Sequence, residues 1–171
     1  MGNRDELWKA SWESLYDASY YEILFGEVSK SWQFFDFITR LLVALTASGS
    51  AVAGWVLWND EQFKVAWVIA AGVASVLSIL HTTFNTPERI NSYSKLANEV
   101  SGIRLDYETF HHELKVYPEF DIDNKFQMHK ELREKFRKAL DIYSPDFMTT
   151  DRIRHRSQTL LNVKLGIEEH K

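Results

Sequence analysis

The chain has no cysteine, only 3 prolines and 7 glycines, and no large excess of either charge among its 171 residues. Each shortage excludes something. Without cysteine there is no disulfide framework, zinc ribbon, iron–sulfur cluster or thiol nucleophile. So little Gly and Pro leaves few turns, which favours long helices over a many-stranded β fold. The 20 basic and 24 acidic residues give a formal charge of −4. Phosphate contacts need an extended basic surface, so no nucleic-acid partner is expected. The chain also lacks G-x-G-x-x-G, a phosphate-binding loop, G-x-S-x-G and H-E-x-x-H, so neither an enzyme nor a cofactor is expected. An aromatic content of 14% argues against disorder.

What is present is segregated. Residues 41–59, LLVALTASGSAVAGWVLWN, are nineteen positions without a charge, and residues 65–87, VAWVIAAGVASVLSILHTTFNTP, are twenty-three. A helix crossing a hydrocarbon core about 30 Å thick needs roughly 20 residues. Helices buried in a soluble bundle would carry polar residues every turn or two, whereas the polar members here are mostly Ser and Thr, which bond back to their own helix carbonyls. The expected fold is an all-α membrane protein. Residues 1–31 would form an amphipathic cytoplasmic helix, residues 32–86 a transmembrane hairpin with spans at about 38–58 and 64–84, and residues 87–171 a cytoplasmic helical bundle.

The flanks agree with this reading. Trp32, Phe34, Phe35 and Phe37 precede the first run, Trp55 and Trp58 close it, and Phe63 and Trp67 open the second, as aromatic rings gather at the membrane interface. The link between the runs is short enough to force an antiparallel hairpin. Lys30, Arg40, Arg89, Lys95 and Arg104 flank the hairpin on the side of the termini, against Lys64 alone in the turn. That bias places both termini in the cytoplasm of a cell whose inner membrane the protein spans twice. The charged start, MGNRDELWKASWE, has no apolar core of a signal peptide, so the first span is the expected insertion signal.

Residues 4–30 read as an amphipathic helix, with Trp8, Trp12, Tyr16 and Tyr20 four apart and Leu7, Leu15, Ile23 and Leu24 beside them. Through residue 40, seven acids face four bases. Anionic lipid would repel such a helix, so its aromatic face is expected to pack on protein. After the second run, Thr86-Pro87-Glu88 has the chemistry of a helix start: a hydroxyl cap, Pro at the first position and an acid near the positive end of the dipole. The following helix places Tyr93, Leu96, Val100, Ile103, Tyr107, Phe110 and Leu114 on one stripe, in alternating steps of three and four. Such a stripe suits either the next helix of the same chain or a subunit interface, and these seven are the candidates for the interface of an expected homo-oligomer. Pro118 and Pro145 divide the remainder into two more helices.

Few residues suggest chemistry. Glu108 and His111 have the E-x-x-H spacing of di-iron bundles, but those sites need a second such motif and two more carboxylates. No metal site is therefore expected, and His111, His112, His129 and His155 read as surface or packing residues. His81 stands apart at the end of the second span, where an ionisable group tends to face a pore or a partner. Arg152, Arg154 and Arg156 are candidates for an anion site, although alternate residues spread around a helix. Within the spans, Ser48, Gly49, Ser50 and Gly54, and Ala70, Ala74 and Ser78, form rows of small residues that let helices approach closely. Together with His81 these are the candidate helix-packing or pore-lining positions.

This order of parts resembles the SLATT domain family of two-span prokaryotic membrane proteins. The likeness covers roughly residues 5–165 and rests on FFDFITRLLVALTASGSAVAGW, a short turn, WVIAAGVASVLSILHTTFN and PERINSYSKLANEVSGIRLDYETFHHEL. It implies an effector of an antiviral or conflict defence system that oligomerises into a pore and works with a nucleotide-generating or nucleotide-sensing partner protein. The contrasting expectation is a non-conducting membrane scaffold that tethers a cytoplasmic partner.

Overall fold

The computed structural model describes residues 3–56, 61–116 and 121–167, with side chains at all of these except 3, 47–56 and 61–64. The described residues are all-helical, in the order α1 (Asn3–Val56), α2 (Glu61–Thr83), α3 (Thr86–Val116), α4 (Ile122–Asp141) and α5 (Asp151–Leu165). They form two compact units. One comprises Met1–Val28 with Ser92–Lys171, and the other Ser29–Asn91.

In the first unit the stripe on α3 is the core. Tyr93, Leu96, Val100, Ile103, Tyr107, Phe110 and Leu114 are all buried, none more than 6% exposed. The chain's own helices cover these seven, the first of the two roles that such a stripe suits. Burying a side chain of this size stabilises by about 1.5–3 kcal/mol, which explains why a helix with so polar an exterior folds here. From α1 the buried residues include Leu7, Ser11, Leu15, Ala18, Leu24, Phe25 and Val28, again in helical steps. Trp8 and Trp12, the expected centre of the packed face, sit on its rim and are 38% and 40% exposed. The small Ser11 and Ala18 occupy the line of closest approach instead.

Helices α4 and α5 complete this unit. Asp121 caps α4 by accepting from the backbone amides of Asp123 and Asn124. His129 and Ala139 are its buried residues, and Leu132 packs against Leu7, Phe110 and Leu114. Phe25 meets Tyr143 edge-on at 4.8 Å between ring centroids. Thr150 caps α5, and Gly166, with φ of 65°, ends it in the left-handed conformation that glycine adopts without steric cost. Its inner face carries Ser157 and Leu161.

Polar ties hold α1 against its neighbours in this unit. Glu22 accepts from Ser101 at 2.8 Å and Lys164 at 3.2 Å, and pairs with Arg104 at 2.8 Å. Glu27, almost fully buried, is paired with Arg156 at 3.1 Å. The Ser11 hydroxyl lies 2.8 Å from His111 Nδ1, and that of Ser14 lies 3.1 Å from His129 Nε2. His111 also lies 3.9 Å from the Trp8 ring, between centroids.

Candidate functional site

The second unit carries the apolar surface. Val65–Thr83 is a helix long and apolar enough to cross a membrane, with mean hydropathy 1.9, and only 6% of its residues are buried. Val65, Val68, Ile69, Val76 and Ile79 are each more than half exposed, as are Phe34, Phe37 and Leu45 of α1. Their exposure is unlike that of a core helix, in which such residues are covered. Trp32, expected at an interface, is instead fully buried, edge-on to Phe35 at 5.9 Å and Phe84 at 6.3 Å.

The hydroxyls on this surface are satisfied locally. Thr46 donates to the carbonyls of Leu42 and Val43, Ser75 to that of Ala71 at 2.8 Å, and Thr82 to that of Ser78 at 2.6 Å. A groove of about 470 Å³ between α1 and α2 is lined by Val43, Thr46, Ala71, Ala74, Ser75 and Ser78. Ala74 is buried, Ala70 half-buried and Ser78 exposed. Ser48, Gly49, Ser50 and Gly54 lie on α1, but their side chains are outside the described residues, as are residues 57–60 of the link.

At one end of the unit the side chains of Asp36, Arg40 and His81 meet. Asp36 Oδ1 accepts from Arg40 Nε at 3.0 Å, and His81 Nε2 lies 2.7 Å from the same oxygen. Burial alone would raise the Asp36 pKa, but hydrogen bonds from His81 and Arg40 hold it below the usual carboxylate range. His81 is therefore a tie between α1 and α2, the helix-packing side of the two roles expected of it. The spacing of 45 residues gave no local signal for this pair.

The turn after α2 also departs from expectation. Thr86 is fully buried, and its hydroxyl donates back to the carbonyl of His81 at 3.2 Å. It thus serves the end of α2, while the first bond of α3 runs from the Arg89 amide to the Asn85 carbonyl at 3.0 Å. Asn85 itself has φ of 48°, a left-handed conformation that Asn adopts more readily than most residues.

The remaining candidates are dispersed. Arg152, Arg154 and Arg156 are all exposed, and Arg156 is engaged with Glu27, so they form no common fork. Glu108 pairs with Arg104 at 2.7 Å, whereas His111 turns to Ser11 and Trp8. Compared with known proteins, the chain matches no family model, no curated protein and no solved structure.

Proposed function

We propose that the protein is a two-span membrane effector whose hairpins assemble and permeabilise the inner membrane when its cytoplasmic helices receive a signal. The observation that carries this reading is α2, an apolar helix of spanning length with almost no protein cover. In water such a surface would be a liability for aggregation, and in lipid it needs none. The groove of small residues offers a neighbouring copy a close approach, which is how helices associate where the hydrophobic effect between them is absent. The first span and the cytoplasmic placement of both termini rest on the charge-free run at residues 41–59 and the Lys and Arg bias. The likeness to the SLATT domain family supports a role in antiviral or conflict defence, with a nucleotide-linked partner.

The test is induced expression with a membrane-potential dye. Depolarisation that Ser78→Leu abolishes, with the protein still extracted only by detergent, is the expected result. Cells that stay polarised under every inducing condition would remove the pore. A second reading has its own support: Thr46 and Ser75, two of the groove's three hydroxyl residues, are bonded to their own helix carbonyls. That favours a non-conducting scaffold for a cytoplasmic partner, which would keep recruiting its partner when Ser78 is replaced by Leu.

A further inference from the structure

The first unit contains a cleft of about 630 Å³ that none of the ties described above fills. Its two walls come from α1 and α4, and Tyr107 of α3 lies at its base with Phe136. The volume is within the range of small-molecule sites. The α1 wall presents Glu13 and Asp17, and the α4 wall presents Lys130 and Arg133. A further pair on the α4 side, Glu134 and Arg137, is closed on itself at 2.8 Å.

The two walls are of opposite sign, yet they do not pair. Among the described residues, Asp17, Lys130 and Arg133 make no ion pair within 4.0 Å, and Glu13 reaches only Lys9, at 3.9 Å along its own helix. Asp17 shows the strain of this arrangement: burial and the neighbouring Glu13 raise its pKa, and Arg133 only partly offsets them. Tyr107 is fully buried beneath the cleft, and Ser14 of the α1 wall is the polar neighbour of its hydroxyl. Burial pushes that phenol up to about 12, so it remains a hydrogen-bond donor across the physiological range.

We propose that this cleft binds a small zwitterion, its ammonium end toward Glu13 and Asp17 and its carboxylate or phosphate end toward Lys130 and Arg133. A polyanion would meet the carboxylates of α1, and a simple cation would meet the bases of α4. Only a molecule carrying both charges complements both walls. The site does not rest on the membrane reading, because every residue in it belongs to the first unit.

Calorimetry on the full chain in phosphatidylglycerol nanodiscs, which contain no zwitterionic headgroup, tests this. The probes are phosphoethanolamine and the ω-amino carboxylates from glycine to 6-aminohexanoate, which vary the charge separation. Ethanolamine, butyrate and inorganic phosphate supply the single charges. At least one zwitterion should bind with a Kd below about 1 mM, with each single-charge probe at least about tenfold weaker. Asp17→Asn and Arg133→Gln should each weaken that binding about tenfold, with helical content by circular dichroism unchanged. The proposal is overturned if no zwitterion binds below that limit, if the single-charge probes bind as tightly, or if the Asn and Gln variants bind as the parent does.

Discussion

Helices α2 and α3 follow one another in the chain and treat their apolar residues in opposite ways. On α3 seven apolar residues form one buried stripe, with Leu105 and Val116 left outside it, while on α2 Val65, Val68, Ile69, Val76 and Ile79 stand in the open. On the proposed membrane reading the difference is one of solvent. A helix whose polar face is wet must hide its apolar face, so α3 is specified by the alternation of the two. A helix in hydrocarbon has no such requirement, and α2 carries apolar residues all round. Helix propensity does not separate the two, but charge does: residues 65–87 carry no Asp, Glu, Lys or Arg, and α3 carries them throughout.

The largest effect that would break this contrast is in the stripe. Ile103→Ala should destabilise the first unit by about 2–5 kcal/mol, read by denaturant unfolding in detergent, whereas Val68→Ala on α2 should change it by less than about 0.5 kcal/mol. Equal effects would mean that α2 has a protein cover not seen here. Next in size is a charge on α2. Val73→Arg, near the middle of the helix, should oppose membrane insertion by about 3 kcal/mol, read as the fraction recovered after carbonate extraction. A surface helix in water would ignore that substitution.

A smaller effect is expected at Glu22. Burial would raise its pKa, but hydrogen bonds from Ser101 and Lys164 and the charge of Arg104 lower it overall. Because the folded pKa lies below the unfolded value near 4.5, the contribution is fully present above that value and lost as pH falls through the folded pKa. Glu22→Gln should cost about 2 kcal/mol at neutral pH, the scale of hydrogen bonds to a charged group, and flatten the acid limb of an unfolding profile.

The smallest effect comes from the histidines. Burial lowers the pKa of His111, with Lys115 adding to it, and burial lowers that of His129, with Arg133 adding to it. Each is held neutral, so the unfolded state takes up protons first. Stability should be complete above about pH 6.5 and decline as pH falls below it, before the Glu22 limb begins. His111→Gln with His129→Gln should remove that upper step and leave the lower one. A profile with a single step in the parent would contradict this assignment.

Much of the fold was legible because it is local. The scarcity of Gly and Pro, the stripe from Tyr93 to Leu114 and the charge-free second run each announce a helix and its environment within a few turns. Less legible were features set by distant partners. Ser11 and Ala18 are unremarkable in sequence, and only the approach of other helices makes them central in place of Trp8 and Trp12. Thr86 has the chemistry of a cap, but the geometry at Asn85 turns its hydroxyl to the preceding helix. His81 and Asp36 are separated by 45 positions, and the cleft at Tyr107 brings α1 to α4 across more than a hundred residues. No periodicity encodes such pairings; they follow from packing.

The hydroxyls of Ser75 and Thr82 change how α2 should be weighed. A hydropathy scale charges every Ser and Thr with the loss of a bond to water, and the value of 1.9 includes that charge. These two give their protons to carbonyls four residues back, a bond they keep on leaving water. The helix is thus oilier than its letters indicate, and replacing both with Ala should leave its partition into lipid nearly unaltered.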